Sequence, residues 1–334
     1  MKHLTYLSYT LFLCILLMFS GCDNNNPVNP DYGTPMSVIA TYPTPGSALD
    51  SYVKNINGTD YAFISLGSSG VLILDVTNPS SIHTVAGYNI SGYCEEAFPV
   101  IIRNVPYLFI ATGGSGLNVL DISNINSPIL DTLINFSGDY LASVYVDTAT
   151  NIAYTGGSFN KMYVLNISSL PVVSTISTYQ SYSNINEIQV INNTAYIAQD
   201  GGLDIVNVSA PANPVRYTLG TSNDYAYDVK ISGNLAFVSN NQNGVVVFNI
   251  SNPSNPQQLG VLETSDIALA CTVNGNLVYV AEDVSGVETF DVSDPNNPRY
   301  LAYYTSGSYS ENIFFYNGLV FVSDLNDYVI LKYP

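Results

Sequence analysis

Tryptophan is absent from this chain of 334 residues, and basic residues nearly so: 8 Lys and Arg stand against 26 Asp and Glu. A net charge of −18 argues against nucleic acid as a partner, because phosphate binding needs clustered Lys and Arg. The same imbalance works against adhesion to anionic lipid. Beyond His3 the only histidine is His83, which leaves no Ser/His/Asp or Cys/His arrangement. No glycine-rich phosphate loop has the required spacing, and no D-x-[DN]-x-[DN]-G calcium loop occurs. Of the four cysteines, Cys14 and Cys22 lie near the start, and no CxxC or Cys/His metal pattern exists. Cys94 and Cys271 fall in the second and sixth of the repeats set out below. Both map to the innermost strand of their repeat and could face each other across a central channel, too far apart for a disulfide.

What the chain does have is a sentence repeated along its length. Its clearest copy, Thr221 to Glu263, reads as four short strands: Asp228 to Ser232, Leu235 to Asn240, Gly244 to Ile250 and Gln257 to Glu263. Gly, Asn, Ser and Pro fill the turns, supplying the positive or fixed φ that a chain reversal needs. The third strand is easiest to follow: GVLILDVTNP from Gly70, GLNVLDISN from Gly116, MYVLNISSLP from Met162, GLDIVNVSAP from Gly202, GVVVFNISNP from Gly244, GVETFDVSDP from Gly286 and DYVILKYP from Asp327. The polar residue that closes it falls at Asp75, Asp121, Asn166, Asn207, Asn249 and Asp291, with Lys332 last, at intervals of 41 to 46 residues. A period near 42 with four strands per unit is the signature of a β-propeller blade. The apolar runs are almost unbroken, as expected of strands covered on both faces by neighbouring blades. The recurring polar residue is expected to cap the turn that follows it.

The seventh copy lacks a fourth strand, and the N-terminus supplies a candidate. Aligning Pro35 with Pro298 places Val38 to Thr41 on Leu301 to Tyr304. The expectation is an all-β chain: a seven-bladed β-propeller with four-stranded blades, in which the N-terminal strand closes the last blade. Closure removes the open edge that invites aggregation, so a monomer is expected.

These strands resemble the LVIVD-repeat family of bacterial and archaeal surface propellers. The shared core is G-[LV]-x-[IV]-x-[DN]-[VI]-S-x-P, preceded by a strand such as Ala195-Tyr196-Ile197-Ala198 or Val278-Tyr279-Val280-Ala281. The third copy departs most, with Lys161-Met162 where Gly-Leu is usual. The resemblance implies a propeller at the cell surface and supplies no catalytic residues.

Ahead of the repeats, Lys2 and the apolar run Leu11 to Phe19 read as a secretory leader too short to span a bilayer. Phe19-Ser20-Gly21-Cys22 resembles a bacterial lipoprotein processing box. The expected organisation is a signal peptide over 1–21, lipidation at Cys22, a flexible polar linker over 22–34 and the propeller over 35–334. That places the protein in the cell envelope, at the outer membrane or cell surface, touching the membrane only through its lipid.

Mapping the acids onto the repeat gathers fourteen of the 26 on one face of the ring. Asp50, Glu95, Glu96, Asp139, Asp224 and Asp266 fall in the loops that enter each blade. Glu187, Asp228 and Glu311 fall at the mouth of an inner strand. Asp200, Glu282, Asp283, Asp324 and Asp327 fall in the loops from second to third strand. Lys161 is the one base this mapping sets against them. Tyr93, Tyr140, Tyr182, Tyr225, Tyr227 and Tyr309 interleave with the acids. Such a rim suits a protein or saccharide partner or a basic one. Ca²⁺ is the one cofactor the carboxylates would suit; otherwise no cofactor is expected. The alternative is a hydrolase or lyase acting on polysaccharide through two of these carboxylates, Asp228 and Glu187 from adjacent blades. Loop solvation and turn shaping account for the same acids without any ligand.

Overall fold

The computed structural model describes residues 33–220 and 225–334; Cys22, Asp224, the leader and most of the linker lie outside them. No helix occurs among the described residues, so none there is long and apolar enough to cross a membrane. The strands form seven four-stranded antiparallel blades, each a meander running outward from an inner strand. The inner strands are Asp50–Ile56, Glu96–Ile102, Leu141–Asp147, Ile185–Ile191, Asp228–Ser232, Ala268–Asn274 and Asn312–Tyr316, for blades 1 to 7. Each packs against the inner strands on both sides, and blade 7 meets blade 1, so the ring is closed.

Burial follows from this stacking. Seven hydrophobic clusters fill the seven gaps between blades. Third strands such as Val71–Asp75 and Leu117–Asp121 are buried at every position but the last. That last residue is the cap. In all six blades its side-chain oxygen accepts the backbone N–H two residues on: Thr77 to Asp75, Ser123 to Asp121, Ser168 to Asn166, Ser209 to Asn207, Ser251 to Asn249 and Ser293 to Asp291, at 2.7 to 3.0 Å.

In blade 7 a single run, Leu319–Lys332, supplies both middle strands. The rings of Phe321 and Tyr328 lie 6.0 Å apart, whereas seven residues of straight strand would separate them by about 23 Å. The run therefore doubles back, with Leu325 at a φ of 49°. The N-terminal strand Ser37–Ala48 pairs antiparallel with the returning half and is the outer strand of this blade, as the sequence implied.

The alignment is off by one residue. Each outer strand carries a one-residue bulge against its third strand, at Leu301 in blade 6 and Ile39 in blade 7. Ile39, not Val38, is therefore the counterpart of Leu301. The N-terminus does more than complete blade 7. Thr34 and Pro35 pair in parallel with Ala302 and Tyr303 on the outer edge of blade 6. Met36 is buried in the cluster between blades 6 and 7 and donates its N–H to the Tyr303 carbonyl at 2.7 Å.

Cys94 and Cys271 are free and buried. Neither faces the channel: Cys94 packs between blades 1 and 2, Cys271 between blades 5 and 6.

Candidate functional site

The inner strands alternate, so side chains two residues apart share the channel face. One layer consists of Asp50, Glu96, Ser143, Glu187, Asp228, Ala270 and Asn312; two residues on lie Tyr52, Phe98, Tyr145, Gln189, Lys230, Thr272 and Phe314. The second layer is sectored. Phe314, Tyr52, Phe98 and Tyr145, from four consecutive blades, form a chain of ring contacts at 5.1 to 5.5 Å. Gln189, Lys230 and Thr272 fill the remaining arc with polar groups.

Above these layers the channel opens into a cavity of about 480 Å³ lined by all seven blades. Asp50, Glu95, Glu96, Tyr140, Glu187, Tyr227, Asp228 and Glu311 line it, joined by Tyr93. Inner strands 3, 4 and 6 carry a bulge against their second strand, at Ala142, Asn186 and Leu269. All three bulged residues line the cavity, so these irregularities shape its wall.

The other expected site residues sit elsewhere. Asp139 is buried and holds a loop of blade 3, accepting from the Phe159 N–H at 2.9 Å and the Tyr163 hydroxyl at 3.0 Å. Asp266 accepts from the Ile267 N–H and the Ser285 hydroxyl beside blade 6. Tyr225 and Tyr309 are about half exposed and do not line the cavity.

Three of the four inward carboxylates are fully engaged. Glu96 accepts the Tyr52 hydroxyl at 2.6 Å and the Val144 N–H at 2.7 Å. Asp228 accepts Lys230 at 2.6 Å and the Cys271 N–H at 2.9 Å. Glu187 accepts Lys230 and the Ser143 hydroxyl, at 3.2 and 3.1 Å. The bonds to Val144 and Cys271 cross from one inner strand to the next, as do those from Ile188 to Ser143, Ile231 to Gln189 and Phe315 to Thr272. These five contacts tie adjacent blades together at the channel, so part of the acidic face is structural.

Lys230 corrects the sequence reading, which set only Lys161 against this face. The signal was its place two residues beyond Asp228 on an alternating strand. Its two bonds bridge the very carboxylates a glycosidase would draw on.

Asp50 is different. It is 8 % exposed, lines the cavity, and its Oδ2 has no hydrogen-bond partner. Burial, reinforced by Glu187, pushes its carboxyl up to about 8 against the pull of Lys230. Glu96 rises to about 8 through burial and Asp50, and Glu187 to about 8 through burial and Glu96. The carboxylates of Asp228 and Glu187 keep Lys230 charged well above the usual lysine range despite its burial. No group of three or more His, Cys, Asp or Glu side chains among the described residues is placed to hold a metal ion.

The LVIVD repeat pattern matches residues 56–90, 106–141, 184–217, 224–264 and 265–305, together more than half of the chain. The chain belongs to the LVIVD repeat family. The matches pass over residues 142–183, which hold almost all of blade 3, the blade whose third strand departs from the Gly-Leu pattern. Comparison with curated proteins returns no match. Among solved structures, one described as the structure of U3-55K is similar over 90 % of this chain and all of its own, with a TM-score of 0.68 at 10 % identity. That likeness concerns the fold alone. An LVIVD-repeat propeller suits a binding or scaffolding module.

Proposed function

We propose that this LVIVD-repeat chain is a binding module of the cell envelope, anchored through a lipid on Cys22, that presents its channel mouth to a protein or saccharide partner. The observation that carries the reading is the convergence of all seven blades on one cavity rimmed by Tyr93, Tyr140, Tyr227, Glu95 and Glu311. The three tyrosines are 37 to 40 % exposed, offering stiff amphipathic area at little entropic cost. The unpaired negative charge of the chain disfavours nucleic acid there. The bridging of Glu187 and Asp228 by Lys230 favours binding over polysaccharide cleavage.

The test is capture from envelope extract by wild type and by a Tyr93→Ala/Tyr140→Ala/Tyr227→Ala variant of matched circular dichroism. Loss of the captured species in the variant is expected; an unchanged set would sink the reading. The anchoring is tested by metabolic labelling with a fatty-acid probe, which should mark wild type and not Cys22→Ala.

A further inference from the structure

We infer that the channel mouth recognises a primary ammonium group, received by the carboxylate of Asp50 and flanked by the rim tyrosines. The inference rests on the binding-module reading and names the chemistry of its ligand. Glu96, Glu187 and Asp228 each have a donor from the protein on both oxygens. Asp50, in the same layer, is left with a buried oxygen that nothing on the protein satisfies. Of the buried side-chain atoms without a hydrogen-bond partner among the described residues, which include Glu282 Oε1, only Asp50 Oδ2 belongs to a residue that lines the cavity; burying an unpaired acceptor costs about 1–3 kcal/mol. The missing partner is a donor from the cavity that Asp50 lines.

Charge and shape select the donor. A metal ion would need several oxygens at once, and no such group is assembled among the described residues. An ammonium ion can be held by one carboxylate with aromatic faces around its carbon chain. Tyr93, Tyr140 and Tyr227 provide those faces, and Glu95 and Glu311 add rim charge that draws a cation in.

Asp50 faces Glu96, Glu187, Asp228 and Lys230 across the channel, with Tyr52 on its own strand and Cys94 and Tyr328 close by. Because burial holds a proton on this carboxyl up to about pH 8, a bound ammonium must displace it. Binding should therefore tighten from pH 6 to 8.5 and release protons.

The probes are n-butylammonium and Nα-acetyl-lysine amide, titrated calorimetrically into the purified chain at pH 8 in two buffers of different ionisation enthalpy. Both should bind, n-butanol should not, and the buffers should report proton release. Asp50→Asn should weaken binding at least about tenfold, the loss of one charge-assisted hydrogen bond; Asp294→Asn, in an outer turn, should not. Tighter binding of the lysine derivative would point to a protein side chain as the natural source, and tighter binding of butylammonium to a free amine. Failure of both amines to bind more tightly than about 1 mM, equal binding by Asp50→Asn, or a site taken by Ca²⁺ alone would overturn the inference. Proton release by wild type is read without any variant, so misfolding of Asp50→Asn cannot mask the answer. Capture that is lost with the rim tyrosines, yet indifferent to Asp50→Asn and to excess butylammonium, would leave the binding module standing and remove the ammonium site.

Discussion

The ring of Tyr140 lies on Gly113 of the preceding blade. A Cβ there would stand 2.8 Å from the ring, and the backbone φ is +53°. The contact recurs one blade earlier, where Tyr93 covers Gly67 at the same 2.8 Å and the same φ. Backbone bridges Gly113 to Leu141 and Gly67 to Cys94 hold each tyrosine's loop against the glycine. The Tyr140 hydroxyl then donates to Glu95, fixing a ring of blade 3 to a carboxylate of blade 2. The rim is thus seated on two positions that only glycine fills without strain.

Gly113→Ala should lose about 2 kcal/mol, combining the left-handed backbone penalty with displacement of the Tyr140 ring. Gly113→Ala/Tyr140→Ala should recover part of that loss, since the clash is gone and the backbone strain remains. Urea unfolding followed by circular dichroism measures both. Additivity of the two substitutions would show that the ring and the glycine are energetically independent.

The buried acids make an unusual dependence of stability on pH. Asp50, Glu96 and Glu187 bind protons more tightly when folded, up to about 8, than in the unfolded chain, where they titrate near 3.8 to 4.5. Glu282 does so up to about 10, through burial and the adjacent Glu288. A raised carboxyl contributes stability that is complete below its unfolded pKa and is lost as pH rises through the folded value. Lys230 stays charged throughout that window. The melting temperature should therefore fall from pH 5 to pH 9, and Asp50→Asn or Glu282→Gln should each flatten the slope. Calorimetric melts across that range decide it; a curve rising with pH would contradict the assignment.

Lys230 is the counter-charge for two carboxylates. Lys230→Met leaves Asp228 and Glu187 without it, and removing one partner of a buried ion pair costs about 3–5 kcal/mol. At pH 5 the loss should shrink, because Glu187 is then protonated with or without the ammonium, leaving only the contact with Asp228 to lose. Lys230→Met/Asp228→Asn/Glu187→Gln should regain much of the stability at pH 8. Chemical denaturation at the two pH values tests the whole set.

How much of this the sequence carried depends on whether a feature repeats. The capping residues recur in every blade but the last, and their role was plain from recurrence. The seven-bladed ring and its closure by the N-terminal strand followed from the period and from the strand missing at the end. The register of that strand did not: the outer strands of blades 6 and 7 bulge alike, at Leu301 and Ile39, but Pro35 is not the counterpart of Pro298 and belongs instead to the short parallel pairing on blade 6. Asp139 and Asp266 resemble Glu95 in their position in the repeat, yet they hold loops in place; only the folded geometry distinguishes a carboxylate aimed at its own loop from one aimed at the axis. Asp204 went unremarked inside an apolar strand. It is fully buried, receives two nitrogens of Arg216 at 2.8 and 2.9 Å, and accepts the Tyr179 hydroxyl. Lys230 and Tyr52 were within reach, since alternation puts them on the same face as Asp228 and Asp50.

The N-terminal segment fastens the ring at two points, and its removal should separate them. Deleting residues 1–48 takes away the outer strand of blade 7 and the Met36 plug between blades 6 and 7. The returning half of Leu319–Lys332 would then present unpaired backbone along an apolar edge whose Tyr328, Val329, Ile330 and Leu331 are now buried. Such a chain should self-associate or melt without cooperativity, seen by light scattering and calorimetry. Deleting only residues 1–35 removes the short parallel pairing on blade 6 and spares both Met36 and the blade 7 strand. That variant should remain monomeric and lose about 1–2 kcal/mol, the scale of a pair of backbone hydrogen bonds. If the longer deletion were monomeric and as stable as the shorter one, the N-terminal strand would not be what closes the propeller.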